Sequence, residues 1–266
     1  MDTLKRNNVH IQDGPGPVLL YAHGFGCNQA MWKQITPAFA RTHRQILFDY
    51  VGSGASDLAS FDSDRYSKLD GYAQDVLDVC HALGLDRGVT LVAHSVSCSI
   101  GILAAVAKPE LFERIVMIGP SPCFLNDPPN YFGGFDRSDL EGLIDLMQRN
   151  YIGWANQLAP VVAGGSGGMR VSAELVNSFC STDHHVMETF ARAAFFADNR
   201  ADLENVPCPC LILQHRHDML APLSVGEYVQ AHLPDGEMKV LDVAGHAAHM
   251  SDPDLVIEAM NEFIVK

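Results

Sequence analysis

The run Leu91-Val92-Ala93-His94-Ser95-Val96-Ser97 constrains this chain more than any other part of it. An apolar stretch ends in a serine flanked two residues either side by small residues, and a helix-like stretch follows. That is the small-x-Ser-x-small pattern of a nucleophile elbow. A sharp strand-to-helix turn forces the serine into strained φ/ψ, so its neighbours at ±2 must be small. The turn lifts the hydroxyl to the edge of a sheet and aims the next helix's N-terminus at it. Ala93 and Ser97 stand where a pair of glycines is usual, so the run alone fits a plain strand-to-helix turn as well as a nucleophile.

Its partners occur in a fixed order along the chain. Val18–Ala22 reads as a buried strand ending in His23-Gly24-Phe25-Gly26, whose glycines let the backbone turn an N–H toward the serine. The backbone N–H groups of Phe25 and Val96 are the expected oxyanion donors, an arrangement that lowers a barrier by about 3–4 kcal/mol. Downstream, Cys210–Gln214 reads as a second buried strand with Asp218 shortly after it, and Lys239–Val243 as a last strand leading to Ala244-Gly245-His246. Asp218 would orient His246, which would take the proton of Ser95. Alone, Asp218 is an ordinary helix cap or turn residue and His246 an ordinary histidine; the joint order Ser…Asp…His is that of an α/β-hydrolase. His249 competes with His246, but position after the strand and the preceding Gly245 favour His246, with His249 packing behind it. Asp242 competes with Asp218 but lies inside the last strand, too early for a loop acid.

The chain has 266 residues, enough for one α/β domain with an insertion. No apolar run approaches the roughly 18 residues of a membrane span, and residues 1–8 lack the apolar core of a signal peptide. Seven cysteines without framework spacing read as reduced, mostly buried thiols, which suggests a cytoplasmic protein. Eighteen basic against 32 acidic residues give a net charge of −14, which disfavours nucleic acid and anionic membranes as partners. The Gly52-Ser53-Gly54 loop lacks both the third glycine of a dinucleotide fingerprint and a following Lys-Ser/Thr, so no nucleotide and no other cofactor is expected.

Strands and helices alternate through residues 1–120 and 201–266, as in a mostly parallel, doubly wound sheet. The alternation breaks over 121–200, expected to form an inserted lid of four helices. Ser138-Asp139-Leu140-Glu141 reads as a capping box opening the first of them, and the glycine run 164–168 breaks the second. Two more segments, about 171–180 and 184–197, complete the four. The lid is rich in aromatics: Phe124, Tyr131, Phe132, Phe135, Trp154, Phe190, Phe195 and Phe196. Singly each is ordinary packing; together they imply an apolar cavity above Ser95. No Arg or Lys is placed to grip a phosphate or carboxylate, so a small, neutral, hydrophobic ester, lactone or activated carbonyl is expected.

Several longer runs carry a resemblance: Phe48-Asp49-Tyr50-Val51-Gly52-Ser53-Gly54-Ala55-Ser56-Asp57, Leu69–Leu77, Gly119–Pro129, Tyr151-Ile152-Gly153-Trp154-Ala155 and Phe179-Cys180-Ser181-Thr182-Asp183. Over nearly its whole length the chain resembles the RsbQ-like α/β-hydrolases, the bacterial stress-response group related to the plant strigolactone and karrikin receptors. The resemblance implies the same fold and four-helix lid, a triad at Ser95, Asp218 and His246, and oxyanion donors at Phe25 and Val96. It puts Phe124, Trp154 and Phe195 at pocket positions, beside Phe25 and Phe135. It also implies a signalling hydrolase acting with a PAS-domain phosphatase. A metabolic esterase or lactonase without a partner, and a non-catalytic carrier of a hydrophobic ligand, remain the other readings. The sequence departs from the family in Ala93, where the family has glycine, and in His215-Arg216-His217 before Asp218. The histidines hint at a metal, but the complete metallohydrolase pattern is missing and no metal is expected.

Overall fold

Side chains along a strand alternate between the two faces of a sheet, so strands apolar at every position need cover on both sides. The computed structural model, which describes residues 2–164 and 168–265, supplies that cover. Seven strands form one sheet: β1 (His10–Gln12), β2 (Val18–Ala22), β3 (Arg44–Leu47), β4 (Val89–His94), β5 (Phe112–Ile118), β6 (Cys210–His217) and β7 (Gly236–Ala244). Their order is β1-β3-β2-β4-β5-β6-β7, parallel throughout except for β1, which pairs antiparallel with β3 at the edge. Leu19, Tyr21, Val116, Ile118, Leu211 and Leu213 face one core, while Leu20, Ala22, Ile115, Met117, Cys210 and Ile212 face the other.

Helices α1 (Leu69–Ala82) and α2 (Val96–Ala107) bury their apolar stripes, including Tyr72, Val76, Ile100 and Ala104, in the second core. Four helices lie between β5 and β6 in the chain: α3 (Arg137–Arg149), α4 (Tyr151–Ala163), α5 (Gly168–Ser181) and α6 (His184–Phe195). Most of their buried residues join the first core, together with those of α8 (Pro253–Ile264); α7 (Leu223–His232) packs beside β6 and β7. The N-cap of α3 is Asp136, not Ser138. Asp136 and Asp139 form the reciprocal capping box, because an acid two residues upstream satisfies the free N-terminal amides first. Of the glycine run, residues 165–167 lie outside the described residues.

In a parallel sheet the loops at the strands' C-terminal ends gather along one edge, where ligands bind. Here that edge collects the segments after β2, β4, β6 and β7, which carry Phe25, Ser95, Asp218 and His246 respectively.

Candidate active site

Ser95 stands between β4 and α2 with φ 57° and ψ −124°, a conformation that few non-glycine residues adopt. Its N–H donates to the Ile118 carbonyl (2.9 Å), which ties the strained turn to the next strand. Both flanking small residues are buried, but they are not equivalent. Ala93 only fills space. Ser97 Oγ donates to the His23 carbonyl and receives the Tyr50 hydroxyl at 2.9 Å, so it fastens the turn after β2 to the elbow.

The structure brings Ser95, His246 and Asp218 into one line. Ser95 Oγ lies 2.7 Å from His246 Nε2, and His246 Nδ1 lies 2.6 Å from Asp218 Oδ2. Asp218 Oδ1 accepts the amides of Leu220 (2.8 Å) and Ala221 (3.1 Å). Burial alone would raise the Asp218 carboxyl; the neighbouring His246 and the hydrogen bonds from His215 and His246 instead hold it well below the usual carboxylate range. It is therefore an anion at neutral pH, so Nδ1 of His246 carries the hydrogen and Nε2 is free to accept the Ser95 proton.

Backbone geometry sets the imidazole's place. Gly245 has φ +89°, and a Cβ there would come within 2.7 Å of the Ala163 and Gly164 backbone. The His246 N–H donates to the Val162 carbonyl in the last turn of α4 (2.7 Å), and its carbonyl accepts from His94 Nε2 (2.8 Å). Gly119, at φ +59°, leaves the space the ring occupies: a Cβ would lie 3.1 Å from its Cε1. His249 is fully buried against Trp32 and His94, with ring centroids 4.7 and 4.4 Å away, and does not reach Ser95 by any described contact. Burial first, then the neighbouring imidazoles, keeps His94 and His249 neutral. Asp242 is exposed and pairs with Arg216.

Val96 is the first residue of α2, so its N–H is one of the helix's unpaired N-terminal amides. Phe25 lies in the turn after β2, held by the Ser97 bridge at its start and by the Cys27 N–H to Gly24 carbonyl bond across it (3.2 Å).

Above Ser95 lies a small apolar cavity of ≈ 50 Å³, with Phe25, His94, Ser95 and His246 on the sheet side and the inserted segment over it. Phe124, Phe135 and Phe195 line it, and no Arg or Lys does. Trp154 does not. It is fully buried behind the wall, edge-on to Phe25 (6.1 Å) and against Phe179 (5.3 Å), because it points from α4 into the first core. Other aromatics of the segment are dispersed: Phe190 stacks on Tyr72 in the second core (4.2 Å), Tyr131 joins a small cluster with Cys123 and Val225, and Phe132 is exposed. Much of the wall is aliphatic instead: Leu140 and Leu143 of α3, Leu158 and Val162 of α4, Leu175 of α5, and Leu220. An i, i+3 spacing such as that of Leu140 and Leu143 marks a buried helix face, not which part of that face meets a cavity.

Among the described residues, His215, Asp218 and His246 form the one group spaced closely enough for a metal, with donor atoms within 4.8 Å of one another. His217 is exposed and not part of it. The donors already bond each other, and a cation there would break the His246–Asp218 contact, so the arrangement fits proton transfer better than metal binding.

A family model described as "Alpha/beta hydrolase family" matches residues 19–259. A strigolactone esterase of Pisum sativum is 36% identical over 248 residues, covering 92% of each chain. A probable esterase of Oryza sativa is 35% identical over 251 residues, 94% of this chain and 92% of its own. A solved hydrolase from Oleispira antarctica is 46% identical and superposes with a TM-score of 0.97, over 100% of this chain and 97% of that one. The chain belongs to the alpha/beta hydrolase family, and it is a hydrolase with esterase-named relatives. No helix among the described residues is long and apolar enough to cross a membrane.

Proposed function

We propose that this protein is a serine hydrolase of small, neutral, apolar esters or lactones. The observation that carries the reading is the Ser95–His246–Asp218 line opening onto a cavity without a cationic lining residue. His246 takes the Ser95 proton as Oγ attacks the carbonyl. The amides of Phe25 and Val96 receive the oxyanion, and His246 returns the proton to the leaving alcohol. Water then releases the acyl group from Ser95 by the same route. The cavity is far smaller than the roughly 300–1,000 Å³ of a site for drug-sized ligands. A short acyl group or small lactone ring fits this, and anything larger has to displace the covering helices.

The finer part of the proposal is a receptor-like role of the RsbQ type: slow chemistry on a small ligand, read out by a protein partner, for which a PAS-domain phosphatase is the candidate. Relatives named as strigolactone esterases and karrikin receptors, matched over most of their length, support the receptor-like part of it. The test is hydrolysis of p-nitrophenyl esters from acetyl to octanoyl by wild type and Ser95→Ala, with intact-mass detection of adducts. Slow turnover or a burst with an adduct on Ser95 is expected. Rapid multiple turnover would favour a metabolic esterase, and unchanged activity in Ser95→Ala would remove Ser95 from the mechanism.

A further inference from the structure

His215 is a fully buried histidine that the reaction sketched above does not use. The pairing of β6 with β7 shifts register between His215 and His217, and such an irregularity re-aims side chains at the end of a strand. Here it leaves His217 exposed and turns His215 inward, so that its Nδ1 lies 3.3 Å from Asp218 Oδ2, the oxygen that also holds His246 Nδ1. Both Oδ1 contacts are backbone amides. The carboxylate therefore accepts four hydrogen bonds, and its two side-chain donors share one oxygen. Because Asp218 is an anion, His215 Nδ1 must carry the hydrogen. Its Nε2, buried, then has no partner among the described residues.

We propose that His215 is a positioning residue for the reaction above: by sharing Asp218 Oδ2 it limits how strongly the carboxylate stabilises protonated His246. This rests on the reading of Ser95, His246 and Asp218 as the reacting line. The more of Oδ2 that His246 holds to itself, the more stable its imidazolium, and the higher the pH at which it stops being a free base. The other titratable groups facing His246 are Ser95, His94 (ring centroids 5.0 Å apart) and, beyond His94, His249. Both of those histidines are held neutral by burial, which leaves Asp218 as the charge that His215 modulates.

The test is the titration of His246 by NMR with labelled histidine, in wild type, His215→Leu and His215→Asn. An asparagine amide nitrogen stands at the same distance from Cβ as histidine Nδ1, so Asn restores the donor and Leu does not. His215→Leu is expected to raise the His246 pKa by about 0.5 units and to move the acid limb of kcat/KM upward with it, while His215→Asn stays within about 0.2 units of wild type. Thermal unfolding checks that each variant folds. If the Leu variant does not, His215→Gln, whose donor reaches past the Nδ1 position, takes its place with the same expected upward shift. Equal His246 titrations in all variants, or an Asn variant that shifts as Leu does, would overturn the assignment. The NMR readout needs no turnover: the shift without ester cleavage would refute the hydrolase reading and leave only the hold of His215 on His246 through Asp218, whereas cleavage without the shift would refute the role of His215 alone.

Discussion

Ser97→Ala is a deletion of one oxygen, and the structure makes it costly. Ser97 Oγ satisfies two buried groups at once, the His23 backbone carbonyl and the Tyr50 hydroxyl, and both residues are inaccessible to water. Without it each of these groups loses its described partner on that side. A buried polar group left unpaired costs about 1–3 kcal/mol, so together the two losses and the small void come to about 3 kcal/mol. In a domain of this size each kcal/mol lowers Tm by about 2–3 °C, which puts the variant about 6–9 °C below wild type. The same bond anchors the turn from which Phe25 offers its N–H, so a loosened donor is expected to cost about tenfold in kcat with little change in KM. Differential scanning calorimetry and turnover of a short-chain p-nitrophenyl ester measure the two effects. A variant within 1–2 °C of wild type (about the effect of a surface substitution) and with unchanged kcat would show that Ser97 is only a small residue at the elbow.

Asp218→Asn is expected to fold, since Oδ1 still accepts the Leu220 and Ala221 amides, but to lower kcat by about 10⁴ through the wrong His246 tautomer; steady-state kinetics decides this. His94 and His249 are buried and held neutral, so the unfolded chain takes up protons near pH 6.5 that the folded protein refuses. Stability therefore falls as pH drops through that value, by about 3 kcal/mol between pH 7.5 and 5.5 for the two together, measurable by urea unfolding; a flat profile would contradict their burial. Phe195→Ala removes an aromatic wall of the cavity and is expected to shift kcat/KM toward octanoyl over acetyl esters by about tenfold, read from the same ester series.

Most of the scaffold was legible because its cause is periodic. Uninterrupted apolar runs marked β2, β4 and β6, and the break in strand–helix alternation marked the inserted segment. β1 escaped notice because its three residues are all exposed, and an edge strand without a buried face has no apolar pattern to read. Ser95, Asp218 and His246 stood out by order and by the strands before them. What spacing could not convey was contact. Trp154 and Phe195 look alike as aromatic residues of one segment, yet one faces the core and the other the cavity, since a turn of helix decides it. Ser97 reads as small, not as a bridge; His215 reads as a metal hint, not as a second donor to Asp218. Asp75 sits in the middle of an apolar helical stripe, where only the folded chain brings Asn7, the Val51 amide, Arg65 and Tyr66 onto its carboxylate.

The bond from the His246 amide to Val162, with the Gly245 backbone pressed against Ala163 and Gly164, works as an interlock. The end of α4 is both the roof over the cavity and the latch on the loop that presents the base. Lifting that corner would cost the loop its amide anchor while the His246 carbonyl still holds His94 Nε2 and Nδ1 still holds Asp218, so whatever shifts the roof also shifts the base. The fit of a ligand under the end of α4 is therefore felt at the imidazole of His246 itself, with no separate relay between roof and base.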